Sequence, residues 1–158
     1  MNKGFVSIIS VLAGAAAGVS VVKRITSKQT DKNKELADKH LALYLLMNQW
    51  VKVKQKNKSI AEYLEKNGYR EIAIYGMNFV GETLLGELEG TNINAKYAID
   101  KNADGIYSEI DVREPDEVLE HVDAVIVTPI TYFNPIKDML SQKMDCPILS
   151  IEDILYEI

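Results

Sequence analysis

The chain has a single cysteine, Cys146, so it can form no internal disulfide framework. Cys146 precedes Pro147 and an apolar run, the setting of a small buried filler. Two histidines, His40 and His121, lie far apart and give no zinc-ligand spacing. A phosphate loop of the form G-x-x-x-x-G-K-S/T is absent, and no catalytic acid/base pair can be named. An excess of positive charge is also missing. The formal net charge is −5, which argues against a general nucleic-acid binder. No internal repeat or low-complexity domain appears, and 158 residues leave room for one domain plus extensions.

One long apolar run is present. Residues 4–22 (GFVSIISVLAGAAAGVSVV) carry no charge, and as a helix they would span roughly 28 Å, close to the hydrocarbon thickness of a bilayer. Only Lys3 precedes the run, whereas Lys23, Arg24, Lys28, Lys32 and Lys34 follow it. The positive-inside rule then expects a single-pass anchor in the cell membrane with the C-terminal part cytoplasmic. A cleaved signal peptide is the rival, but its charge cluster normally comes first. Gly14 and Gly18 form a G-x-x-x-G pair that lets two helices approach closely. Residues 23–34 read as a basic linker and 35–68 as a helical connector.

Within that connector, Leu36, His40, Leu43, Met47 and Trp50 recur at helical spacing over 35–56, widened by Ala37, Leu41, Tyr44 and Val51. This amphipathic helix is expected to pack on the core, and a homodimer through it and through Gly14/Gly18 is a further expectation. Ser59 and Glu62 form a capping box, and Gly68 a helix stop.

From residue 69 onward, short β-type and helical pieces alternate. Strands are expected at 72–75, 95–99, 110–112, 124–127 and 148–150. Helices are expected at 80–89, 115–121, 135–143 and 151–156. Apolar strands alternating with helices imply an α/β fold whose parallel sheet of about five strands is covered on both faces.

Residues 72–81 (IAIYGMNFVG) run a strand into a glycine turn, and Asp100 ends the next strand. This outlines a dinucleotide-binding βαβ unit, in which helix-start N–H groups hold a phosphate and the acid meets a ribose. The fingerprint G-x-G-x-x-G is incomplete. Gly76 and Gly81 are in place, but Asn78 occupies the middle position, where glycine lets the backbone approach a pyrophosphate. Asparagine is the best substitute there for a left-handed conformation. The candidate binding residues are Gly76, Asn78, Phe79, Val80, Gly81, Asp100, Lys101 and Thr128, with NAD(P) or a nucleotide-sugar as ligand. Thr128 opens the loop after strand 124–127, and Tyr132 in that loop is placed to stack. A rival reading takes Asp100, Asn102, Asp104, Gly105 and Asp111 as a calcium loop, although Pro115 breaks its exit helix.

The segments IAIYGMNFVG, KYAIDKNAD, VDAVIVTPI and CPILSIEDILYEI resemble small Rossmann-like domains of bacterial surface-polysaccharide machinery, described as nucleoside-diphosphate-sugar epimerase-like. They are also similar in outline to the nucleotide-sugar-binding part of some sugar acetyltransferases. The resemblance covers about the last hundred residues and extends weakly upstream. It implies a nucleotide or nucleotide-sugar at the Gly76 turn, Asp100 as ribose contact, partners among glycan-assembly proteins, and no particular reaction. A membrane-tethered, non-catalytic binding module is thus the leading expectation. The alternatives are a ligand-free interaction scaffold and an enzyme subunit completed by a partner.

Overall fold

A computed structural model describes the backbone from Lys3 to Ile158 and the side chains from Gln29 onward. The apolar segment 4–22, with Gly14 and Gly18, therefore lies outside the described side chains. Among the described residues, no helix is long and apolar enough to cross a membrane. The chain divides into two compact units, residues 1–41 and 42–158. The first is helical and belongs to α1 (Lys3–Gln55), which includes the stretch read as a linker. Its local support is of the i,i+4 kind: Lys39 Nζ meets Glu35 Oε1 at 2.8 Å, and Gln29 donates to Asn33 at 3.0 Å.

The second unit holds the C-terminal part of α1, then α2 (Ile60–Lys66), β1 (Glu71–Tyr75), α3 (Phe79–Leu88), β2 (Asn94–Ile99), β3 (Val112–Arg113), β4 (Ala124–Val127), α4 (Phe133–Leu140), β5 (Ile148–Ser150) and α5 (Ile151–Glu157). The five strands form one sheet in the order β3-β2-β1-β4-β5, and every pairing is parallel. This is the doubly wound order, which reverses direction between β1 and β4.

Alternation along the strands divides the core. Ile72, Ile74, Ala98, Ala124 and Ile126 face α2, α3, α5 and the C-terminal part of α1. Ala73, Tyr75, Tyr97, Ile99, Val125 and Val127 face the other way, toward Val122, Ile136, Leu140 and Ile148. Each fully buried isoleucine contributes about 1.5–3 kcal/mol. Cys146 packs against this second face, and burial raises its thiol pKa.

The inward face of α1 differs from the expected one. Leu46, Trp50 and Val53 are buried and Leu43 and Met47 partly so, whereas Leu36, His40, Leu41, Tyr44 and Val51 are exposed. A nearly continuous apolar run over 41–47 leaves the facing side to be chosen by packing. Trp50 fixes that choice. Its Nε1–H donates to the largely buried Glu87 carboxylate of α3, which also accepts the Ile60 N–H at 2.8 Å and pairs with Lys54 at 3.3 Å.

Caps at α2 follow the sequence closely. Glu62 N–H donates to Ser59 Oγ at 3.1 Å. At the other end Gly68 has φ +79°, and the Gly68 and Tyr69 amides donate to the Glu65 and Leu64 carbonyls, a Schellman closure.

The helix expected over 115–121 does not form. Side chains from elsewhere hold the carbonyls at both ends of the segment, and of these the Pro115 carbonyl is one that a helical ladder would use. Lys143 Nζ donates to Pro115 O at 2.7 Å, Tyr97 Oη to Glu120 O at 2.6 Å and Lys96 Nζ to His121 O at 3.3 Å. The second face is therefore covered by α4 and by coil. Burial pushes the Tyr97 phenol up to about 12.

Two outcomes follow. Glu87→Ala leaves two buried N–H groups without an acceptor and should cost about 2–4 kcal/mol in chemical denaturation followed by Trp50 emission. Asp123 accepts the Glu71 and Arg70 N–H groups at 2.8 Å each, which holds its carboxyl below the ordinary carboxylate range. Its folded-state pKa is depressed, so its contribution is present above about pH 4 and lost as pH falls through the folded value. Asp123→Asn should flatten the acid limb of the stability profile, measured as denaturation midpoint against pH.

Candidate functional site

The C-terminal ends of β1, β2 and β4 are tied together by hydrogen bonds that continue past the strands. Gly76 N–H donates to Ile99 O at 2.8 Å, Thr128 N–H to Tyr75 O at 3.0 Å, and Asp100 N–H to Arg113 O at 2.9 Å. Gly76 has φ +94°, and a Cβ there would lie 2.7 Å from both Pro129 and Thr128 Oγ1. A Cβ on Gly81 would lie 2.2 Å from Gly76 O, so α3 rests its backbone directly on the turn. Gly81 is thus required by close approach of backbone, and Gly76 by its positive φ and the side chains packed over it.

Asn78 is not left-handed, as the sequence suggested it would be. Its φ is −93° and its conformation extended, and it serves as the N-cap of α3, with Oδ1 accepting the Val80 N–H at 3.0 Å. The side chain thus takes a helix-start donor that a phosphate would otherwise use. Glu82 adds a carboxylate to the same first turn. Phe79 is largely exposed, and Val80 and Gly81 are buried.

Asp100 lies where an acidic residue ends the second strand of a dinucleotide fold, and its oxygens are engaged by backbone. Oδ2 accepts the Met77 N–H and Oδ1 the Asn102 N–H, both at 3.0 Å. Each oxygen retains a second lone pair. Thr128 is buried, and its hydroxyl donates toward Gly76 O at 2.7 Å, with Tyr75 O at 3.2 Å.

A cavity of about 670 Å³ opens at these strand ends, on the α4 side of the sheet. Tyr75, Gly76, Asp100 and Lys101 form one part of its lining. Glu114, Pro115 and Asp116 of the coil form a second. Pro129, Tyr132, Pro135, Ile136 and Met139 complete it. Its size and largely apolar wall suit a small-molecule site, and it lies where the strand order reverses. Of the eight candidate residues it brings together Gly76, Asp100 and Lys101. Asn78, Phe79, Val80, Gly81 and Thr128 are not in its lining. A slightly larger groove of about 740 Å³, lined by Glu62, Glu65, Lys66, Arg70 and Asn92, is polar and lies toward the start of β1, away from these strand ends.

Tyr132 joins the cavity as expected for a residue placed to stack. Tyr75 was not foreseen. It is the last residue of β1 and faces the second layer, which strand alternation from Ile74 could have shown. Its hydroxyl is buried without a hydrogen-bond partner, and burial, then the charge of Asp100, raises its pKa. Tyr97 and Lys101 have the Tyr-x-x-x-Lys spacing of a short-chain reductase. The Tyr97 hydroxyl is engaged with Glu120 O, however, and Tyr97 is not in the lining of the cavity that Lys101 joins.

The calcium-loop residues do not assemble either. Asp111 pairs with Arg113 at 2.7 Å, and among the described residues no group of three acidic, histidine or cysteine side chains is placed to hold a metal. Comparison with protein-family models, curated proteins and solved structures finds no match.

The glycine contacts make a paired test. Gly81→Ala should destabilise the fold by about 3 kcal/mol. Gly86→Ala, in the same helix with open space around it, should stabilise by about 0.5–1 kcal/mol. Urea denaturation of the two variants checks both signs.

Proposed function

We propose that the chain is a membrane-tethered, non-catalytic module that binds a nucleotide or nucleotide-sugar and serves assembly of cell-surface polysaccharide. The observation that carries the binding half is the meeting of Gly76, Asp100 and Lys101 in one cavity at the reversal point of a parallel sheet. Open α/β sheets take their ligands at such crevices. The tether rests on the uncharged run 4–22 and the basic residues after it. The polysaccharide setting rests on the resemblance of the last hundred residues. Absence of a recognisable acid/base pair supports a binding role rather than catalysis.

A second reading, a ligand-free scaffold, draws on a specific observation. The Asp100 carboxylate and the Thr128 hydroxyl both bond backbone, and Asn78 caps α3 itself. In that reading the old ligand contacts have become structural ties.

Titration calorimetry of the chain with NAD(H), NADP(H) and UDP-sugars decides between them. The binding module should give saturable heat with at least one, at a Kd tighter than about 1 mM. No binding by any of them at millimolar concentration overturns the binding reading and leaves the scaffold.

A further inference from the structure

Resting on the binding reading above, we propose that the cavity takes the uncharged, hydroxyl-bearing ring of the ligand and not its phosphates, with the Tyr75 hydroxyl as the buried group that selects this ring.

Three observations lead there. The first is Tyr75 itself. It lines the cavity, only 4% of its surface is exposed, and its hydroxyl is the one buried side-chain polar atom among the described residues with no hydrogen-bond partner. An unmet buried hydroxyl costs about 1–3 kcal/mol, so a group that meets it gains what the fold alone leaves unused. The second is charge. Asp100, Glu114 and Asp116 line the cavity against one amine, Lys101, and no guanidinium joins them. Asp116 is paired with Lys143 at 3.1 Å, which leaves two carboxylates against Lys101. Such a wall repels a phosphate at short range and suits a neutral ring whose hydroxyls donate to carboxylate oxygens. The third is the α3 start, where the Asn78 cap takes the Val80 N–H and Glu82 adds negative charge to the first turn, both unfavourable to a phosphate there.

Tyr75 fits the role chemically. A phenol is protonated at neutral pH, so it can donate to a ring oxygen or carbonyl while accepting from a hydroxyl. Pro129, Pro135 and Met139 supply apolar contact for the ring faces. A nucleoside ribose and a free hexose present the same diol chemistry, so the test carries one arm for each.

The experiment titrates the full chain, wild type and Tyr75→Phe, with UDP-glucose, uridine, glucose and inorganic pyrophosphate. The expected result is binding of UDP-glucose and of either uridine or glucose, which identifies the ring, and no competition by pyrophosphate at equal concentration. Tyr75→Phe should weaken UDP-glucose by about tenfold or more, the size of one buried hydrogen bond. Its melting temperature should not fall, because the hydroxyl has no protein partner to lose. Undiminished binding by Tyr75→Phe overturns the inference while the binding reading stands. So does pyrophosphate binding as tightly as UDP-glucose, or a lowered melting temperature, which would show the hydroxyl to be met within the fold. Failure of every probe to bind the wild type overturns both.

Discussion

The contact on which this end of the sheet depends is between two glycines. Gly81 lets the first turn of α3 rest on the carbonyl of Gly76, where any Cβ would sit at 2.2 Å. Gly76 in turn holds a positive φ beneath Pro129 and Thr128. The Thr128 hydroxyl fastens the arrangement by donating to Gly76 O. The positions of β1, β4 and α3 at this end of the sheet all depend on that contact. So does the cavity, because Gly76 forms part of its floor and Pro129 part of its wall.

The unequal covering of the sheet explains why the cavity lies on one side. α2, α3, α5 and the C-terminal part of α1 cover the first face, bound by Glu87 to Trp50 and Ile60. The second face has α4 and the coil of residues 114–123. That coil turns at 114–117 and is held by Lys143, Tyr97 and Lys96 through its carbonyls. A helix there would bring its own apolar stripe. The coil instead presents Glu114 and Pro115 to the cavity and leaves Tyr75 beneath it.

Much of this was legible from residues. Parallel strands buried on both faces read as short apolar runs, and AVIV at β4 and EIAIY at β1 are such runs. Ser59, Gly68 and Gly76 mark a cap, a helix stop and a turn in the sequence as in the structure, because these roles are local. Distant partners decided what was misread. The segment 115–121 has a helical composition, and its conformation is set by side chains 23, 25 and 28 residues from the carbonyls they hold, in β2 and beyond α4. The burial of Leu46 and Val53, in place of Leu41 and Tyr44, follows from Trp50 meeting Glu87 across α3. In the sequence Asn78 stands where the fingerprint has a glycine, which points to a backbone role. Its side chain, acting as a cap, is what the structure uses. Tyr75 was hidden in plain view as the apolar end of a strand.

A ligand seated as proposed at the ends of β1, β2 and β4 would shield their backbone amides. Hydrogen–deuterium exchange of the chain, with and without saturating UDP-sugar, tests that seating most directly. Slowed exchange is expected in peptides covering residues 75–77, 100–102 and 129–139, with the start of β1 and the 62–70 groove unchanged. Protection confined to other segments, or none at saturating ligand, would contradict it.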